Sequence, residues 1–123
     1  MRPSAILAAV LLISGCSSSR SGQEAYQSAR ALYLRDKDLP GFAGYVNTSL
    51  GSRTLRSLNR AKCRALDGPQ RILLILMVDR SGRITEVDSD SSSAKANCLR
   101  DSLQGAGLPI PPFAPLPVTL GVE

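Results

Sequence analysis

The longest run of apolar residues extends from Ile72 to Val78 and is followed by the polar sequence Asp-Arg-Ser-Gly. Seven residues are a typical length for a buried strand, and the polar residues after them are typical of a hairpin turn. Gly82 provides the positive φ that such a loop needs. The pattern therefore predicts a central strand and a returning strand over residues 83–89, with a short buried helix as the alternative for the apolar run.

Helical patterns lie on both sides of this hairpin. From Phe42 to about Asn59 the apolar residues fall on one arc of a helix, and Gly51 favours a break within it. The serines at 91–93 are good caps for a further helix that carries Cys98. Before Phe42, the sequence predicts either a short helix ending near Arg35 or a partly ordered stem.

The end of the chain predicts an extended connection and a last strand. Prolines are frequent from residue 109 to residue 117, and after them Val118, Leu120 and Val122 alternate with Thr119 and Gly121. This strand is expected at or near the edge of the sheet. Together the elements predict an α+β fold, a two-layer sandwich in which a small antiparallel three-stranded sheet packs against helices.

Residues 1–15 have the features of a signal peptide. Arg2 is followed by an apolar run of about ten residues, which is too short to span a bilayer. The sequence Ile-Ser-Gly-Cys that ends at Cys16 resembles the bacterial lipobox. The resemblance implies that the chain is cut before Cys16, whose thiol takes a diacylglycerol and whose new amino group takes an acyl chain such as palmitate. The alternative is an ordinary secretory peptide that is cut near Gly15 and leaves Cys16 free.

Two or more acyl chains on one residue anchor a protein stably to a membrane. Because Ser17 rather than aspartate follows Cys16, the resemblance favours the periplasmic face of the bacterial outer membrane. The two other cysteines, Cys63 and Cys98, would then lie in an oxidising compartment, where a disulfide is expected. Two buried thiols are the alternative.

The chain has a net charge of +5, and its positive charge is concentrated in residues 20–64, which contain nine basic and three acidic side chains. A basic stripe with three- and four-residue spacing is formed by Arg53, Arg56, Arg60 and Arg64. No aromatic platform or recognition motif accompanies the stripe, so nucleic-acid binding is not expected. The stripe is interpreted as a solvated face, with contact to anionic lipid headgroups or an acidic partner as the alternative.

The sequence contains no histidine, which excludes Ser-His catalysis and His-based metal sites. Acidic residues cluster around the predicted hairpin: Asp79, Glu86, Asp88 and Asp90. We interpret them as a solvated strand face, with acid–base work or calcium binding as alternatives. We therefore expect no enzyme, no metal, no small-molecule substrate and no cofactor other than the covalent lipid on Cys16.

Several stretches together resemble the C-terminal domain of TolA, the periplasm-facing end of an envelope-integrity system. The resemblance covers residues 42–123 and rests on a Phe-Ala-Gly-Tyr-Val helix start, the Asp-Arg-Ser-Gly-Arg-Ile turn, a Cys-Leu-Arg-Asp-Ser-Leu helix and a Leu-Pro-Ile-Pro-Pro crossover. The inner-membrane helix and long helical stem of TolA have no counterpart here. Cys63 also lies earlier than the family's first cysteine.

The predicted organisation is a lipoprotein signal peptide (1–15), a lipid anchor, tether and short helix (16–40), and a TolA C-terminal-like domain (41–123). The resemblance implies a protein–protein interaction module in the cell envelope, whose partners are envelope proteins of the Tol type. Such partners often add a strand to an exposed edge. Here the edge is predicted at Val118, Thr119 and Leu120. The alternative function is an assembly lipoprotein, similar to a pilotin or to a secretion or conjugation component.

Replacing Cys16 with alanine is expected to move the exported protein from the membrane fraction to the soluble fraction, because no acyl chains can be attached. Cell fractionation measures this, and mass spectrometry of the wild type should detect the lipid mass on Cys16. The control Ser17→Ala should stay in the membrane fraction. Equal membrane partitioning of Cys16→Ala and the wild type would refute lipid anchoring.

Overall fold

The apolar run from Ile72 to Val78 forms the central strand of a three-stranded antiparallel sheet. The structure is a computed structural model, which describes residues 22–58 and 60–123. The predicted signal peptide and Cys16 lie outside the described residues. The elements are α1 (Gly22–Asp36), α2 (Phe42–Leu50), α3 (Arg53–Arg56), α4 (Arg60–Arg64), β1 (Ile72–Val78), β2 (Ile84–Ser89), α5 (Ala94–Leu103) and β3 (Leu116–Val122).

The strand order is β2-β1-β3, so β1 has a neighbour on each side. The register pairs Leu76 with Val87 in β2 and with Val118 in β3. A strand with two neighbours and an apolar side chain at every position must be covered on both faces of the sheet. The helices provide that cover, and the predicted α+β class is confirmed.

One face of the sheet packs on α2 and α5. Its core contains alternate residues of β1 and β3 together with Phe42, Leu99 and Leu103. The strand residues in this core are Ile72, Leu74, Leu76, Val78, Leu116, Val118, Leu120 and Val122. Residues 42–123 thus form two layers, a helical one and the sheet.

The opposite face of the sheet is covered by α1. Tyr26 and Ala29 are buried against Ile75 and Met77, and Leu32 packs beside them. Tyr26, Ala29 and Met77 therefore belong to a second, smaller core. The first helix is fifteen residues long and packed against the sheet, so it is not the partly ordered stem that was the alternative.

The predicted helix from Phe42 to about Asn59 is not continuous, and the break that Gly51 favoured is confirmed. The first helix of this region ends at Leu50, and Gly51 is its C-cap. Ser52 then has extended backbone angles, and its hydroxyl accepts a hydrogen bond from the N–H of Leu55 as the N-cap of α3. Gly51 ends the first helix, and Ser52 directly after it caps a new one. These two local signals override the continuous apolar arc.

The hairpin between β1 and β2 is organised by Asp79. Its Oδ1 accepts hydrogen bonds from Ser81 N at 2.9 Å, Ser81 Oγ at 2.7 Å and Arg83 N at 3.0 Å. The hydrogen bond from the Ser81 hydroxyl, followed by the Arg83 N–H, lowers the pKa of the Asp79 carboxyl. Gly82 has φ of 90°, and its carbonyl accepts a hydrogen bond from Leu108 N at 2.7 Å. The turn is therefore joined to the proline-rich segment before β3.

Cys63 and Cys98 form the predicted disulfide, with their Cα atoms 5.5 Å apart. Cys63 lies in α4 and Cys98 in α5, and Cys63 is fully buried. The bond therefore joins two helices of the same layer. It covalently attaches the segment that leads into β1 to helix α5.

Replacing both Cys63 and Cys98 with alanine should lower the free energy of unfolding by about 3 to 4 kcal/mol, because the unfolded chain is no longer restrained by the loop between them. Urea unfolding of the full chain measures this. The control is the wild type in reductant, which should approach the stability of the variant. Equal midpoints for variant and oxidised wild type would contradict the expected stabilisation.

Asp79→Ala should lower the melting temperature at neutral pH, because three donors of the hairpin lose their acceptor. The folded-state pKa of Asp79 is lowered, so its contribution is present above its unfolded value of roughly 4 and is lost as pH falls through the lowered pKa. The difference from the wild type should therefore shrink at pH values well below 4. The control Asp101→Ala removes an exposed carboxyl and should show little difference at either pH. If the melting temperatures of Asp79→Ala and the wild type differ by the same amount at neutral pH and well below pH 4, ionisation of Asp79 is not the cause of the stabilisation.

Candidate functional site

Helix α1 crosses the sheet on a diagonal. At its beginning, Gly22 and Gln23 share a cleft with residues 88–92, which comprise the end of β2 and the three residues after it. At its end, the ring of Tyr33 lies 5.9 Å from that of Phe42, and Phe42 contacts Phe113 shortly before β3. The helix therefore starts over the end of β2 and finishes near the start of β3. The corner of the sheet where β1 begins and β3 ends is left uncovered.

A groove of about 290 Å³ occupies this uncovered corner, and we call it the corner groove. Its helical wall is formed by Tyr26, Arg30 and Tyr33 of α1, whose spacing of four and three residues places them on one side of the helix. Its floor comes from β1 and its outer wall from β3. The residues that line it are Tyr26, Arg30, Tyr33, Arg71, Leu73, Leu74, Ile75, Thr119, Leu120 and Gly121.

The floor of the corner groove is apolar and partly accessible. Leu73 is 38% exposed, although every other residue of β1 is buried. Two arginines, Arg30 in α1 and Arg71 just before β1, are both exposed at the groove. Neither forms an ion pair within residues 22–58 and 60–123. The groove thus combines an apolar floor with the positive charges of two exposed arginines.

Tyr26 lies at the inner end of the groove and is 8% exposed. Burial raises the pKa of its phenol, the negative charge of Asp90 raises it further, and the positive charge of Arg30 opposes this. The phenol therefore keeps its proton at neutral pH and offers a hydrogen-bond donor.

The outer edge of β3 is the free edge beside the groove. In β1, the carbonyl of Leu73 accepts a hydrogen bond from Asp90 N at 3.2 Å, and its N–H donates to Asp90 Oδ1 at 3.0 Å. The backbone of Leu73 therefore points toward the β2 side. Successive residues of an antiparallel strand point to opposite neighbours, so Leu74 and the other even-numbered residues of β1 bond to β3.

The register then identifies which residues of β3 face outward. Leu120 pairs with Leu74, so it uses its backbone groups in the ladder to β1. Pro117, Thr119 and Gly121 alternate with the bonded positions and point their backbone groups to the other side. The outward position of Pro117 agrees with its lack of an N–H. In the part of the chain that the structure describes, no strand pairs with this edge.

The predicted binding edge at Val118, Thr119 and Leu120 does lie in an edge strand. The structure divides their roles, however. Val118 and Leu120 are buried and bonded to β1, whereas Thr119 is half-buried with an outward backbone. Gly121 joins Thr119 as an outward residue that the sequence analysis missed. The period-two alternation already visible in the sequence could have identified it.

The predicted basic stripe is divided over two short helices. Arg53 and Arg56 lie in α3, and Arg60 and Arg64 lie in α4, with residues 57–59 between the helices. Arg53, Arg56 and Arg64 are exposed. A guanidinium N–H of Arg64 donates to the carbonyl of Glu123 at 3.5 Å. The stripe on one continuous helix is therefore replaced by a basic surface of α3 and α4, in the layer opposite α1.

The acidic residues near the hairpin do not all gather at one place. Asp79 accepts hydrogen bonds in the turn, while Glu86 and Asp88 pair with Met77 and Ile75 and so share the α1 face of the sheet. Asp88 is buried there, so the predicted solvated strand face is wrong for this residue. Asp90 bonds to the backbone of β1. Among the described residues, no group of three acidic or cysteine side chains is placed to hold a metal ion.

No helix within residues 22–58 or 60–123 has the length and apolar character needed to cross a bilayer. Comparisons of the chain with family models, with curated proteins and with solved structures gave no match. The resemblance to the TolA C-terminal domain therefore rests on the sequence motifs alone.

Proposed function

We propose that this chain is a protein–protein interaction module of the bacterial cell envelope that binds an extended segment of an envelope protein along β3. The observation that carries the proposal is the free edge of β3, where Thr119 and Gly121 direct their backbone groups away from the sheet. Exposed edges of this kind are used for strand addition, in which main-chain hydrogen bonds supply affinity.

The proposed setting is the periplasmic face of the outer membrane, where the lipid on Cys16 would hold the domain. The six residues from Cys16 to Ser21 could extend over roughly 20 Å, which keeps the domain near the bilayer. The TolA-like motifs support a role in envelope integrity and a partner of the Tol type. In this proposal the protein is not an enzyme and needs no cofactor, metal or nucleic acid.

The free edge is suitable for a partner because its surroundings are rigid. β3 is paired with β1 along its whole length, and its inward side chains are buried in the main core. The disulfide holds α4 and α5 beside this core. A partner strand would therefore meet a preformed edge and would not have to order it, which lowers the cost of binding.

A second candidate function is an assembly lipoprotein that uses its basic surface to seat a larger complex. It is favoured by Arg53, Arg56 and Arg64, which are exposed on α3 and α4. Lys62 adds a further basic residue. Such a surface would bind acidic proteins or anionic headgroups by long-range attraction that salt screens.

Thr119→Pro should abolish capture of the envelope partner by the tagged full-length protein, because proline removes the outward N–H and hinders strand pairing. The ladder to β1 does not use this N–H, so the melting temperature should change little. The matched control Thr119→Ala keeps the backbone donor and should capture the partner as the wild type does. Affinity purification from crosslinked, solubilised envelopes with quantitative mass spectrometry provides the measurement.

The same experiment separates the two candidates when it includes a variant with Arg53, Arg56, Arg60 and Arg64 changed to glutamine. Strand addition predicts that this variant retains the partner. If it loses the partner while Thr119→Pro retains it, the assembly function is favoured and strand addition is refuted. Equal capture of the partner by all variants would contradict binding at either surface.

A further inference from the structure

We infer that the corner groove selects the partner by its chemistry: it takes an extended segment in which a large apolar side chain is flanked by carboxylates. The inference rests on the proposed strand addition to β3 and specifies the segment that would be added. It is carried by the position of the groove beside the free edge, by the exposed Leu73, and by two arginines that form no ion pair within the described residues.

A side chain of an added strand can reach the groove because β3 carries only small side chains here on the face of the sheet that α1 covers. A strand paired with β3 would lie about 4.8 Å from it, and every second side chain would point to the α1 face. Between that strand and β1, the α1 face of β3 presents Thr119 and Gly121. A long apolar side chain can therefore cross β3 at Thr119, beside the Arg71 side chain that lies over Gly121, and reach toward Leu73, whose 38% exposure leaves apolar surface to cover.

Gly121 also determines where Arg71 lies. A Cβ atom at residue 121 would be 3.4 Å from Arg71 Nη2 and 3.6 Å from its Nε, so the guanidinium rests directly over this residue. That position places the positive charge at the free edge of the sheet. Because Arg71 has no ion-pair partner within the described residues, a carboxylate on an added strand is its complementary group.

Arg30 supplies the second positive charge from the helical wall. It lies one turn after Tyr26 and shortly before Tyr33, so all three side chains border the same groove. Asp90, whose negative charge acts on Tyr26, is engaged with the backbone of Leu73 on the side of β2. Charge at the open side of the groove is therefore basic, and it favours acidic over basic segments.

A protein segment fits this site better than an anionic lipid. Strand addition satisfies the outward N–H and carbonyl groups of Thr119 and Gly121, whereas a phospholipid headgroup has no matching ladder of donors and acceptors. Binding of an anionic lipid in the groove is one of the outcomes that the experiment distinguishes.

The test selects a displayed library of random short peptides against the full-length protein in a nonionic detergent. Enriched peptides should show the alternation of side chains that is typical of a strand, and they should carry an excess of Asp and Glu around an apolar residue. For synthetic peptides from the enriched set, Arg30→Glu with Arg71→Glu should weaken binding about tenfold or more, since hydrogen bonds to charged groups are lost and like charges meet. Binding to the wild type should also weaken as salt is added.

The matched control is Arg53→Glu with Arg56→Glu, which reverses the same number of charges on α3, in the layer opposite α1. Its effect on peptide binding should be small. An equal loss in the control would mean general attraction to a basic protein and would overturn the inference. The absence of an acidic excess in the enriched peptides would also overturn it.

Thr119→Pro distinguishes this inference from the proposed function. If Thr119→Pro abolishes binding while the Arg30 and Arg71 reversal leaves it unchanged, strand addition stands and acidic selection by the groove is refuted. If neither variant affects binding, both fail. If the reversal impairs binding to phosphatidylglycerol vesicles but not to the peptides, the groove is a lipid site and the inference is overturned.

Discussion

Burial of both faces of β1 is the constraint on which the rest of the structure depends. Its alternate side chains belong to two separate cores, one under α2 and α5 and the other under α1. A strand this apolar would expose a large surface if either layer were missing. Both layers are therefore required, and the position of α1 follows from Ile75 and Met77 as much as from its own sequence.

The larger core is held in place by connections between segments that are distant in the chain. The disulfide joins α4 to α5, and the Tyr45 hydroxyl donates to the carbonyl of Pro109 at 2.6 Å. Burial raises the pKa of Tyr45, so this donor remains protonated at neutral pH. Leu108 bonds to Gly82 at the tip of the hairpin. These contacts position the proline-rich segment and hence the start of β3.

The free edge and the corner groove both result from incomplete coverage of a small sheet. One helix of fifteen residues covers the α1 face on a diagonal, and it leaves the corner at Leu73 and Gly121 open. The same corner contains the outward backbone groups of β3. An apolar floor, two arginines and a strand edge that no other described strand pairs with therefore meet at one place. This coincidence is the physical basis for proposing a peptide-binding module.

Local chemistry already visible in the sequence determined much of the fold. The seven-residue apolar run, the Asp-Arg-Ser-Gly turn, the serine-capped α5 and the alternating end of the chain were predicted correctly because each depends on neighbouring residues. The pairing of Cys63 with Cys98 followed from there being only two cysteines after Cys16. The break at Gly51 was favoured, but the separate helix α3 was not predicted, because an amphipathic arc carries no information about where a new cap starts another helix.

The site itself was decided by tertiary structure. The sequence predicted an edge strand at Thr119, but not that Arg30, Arg71 and Leu73 would lie beside it. The site combines three distant stretches of the chain, at Arg30, at residues 71–73 and at Thr119, and no local pattern links these stretches. They meet because α1 crosses the sheet at an angle that depends on its packing against β1, and that angle is a property of the assembled core.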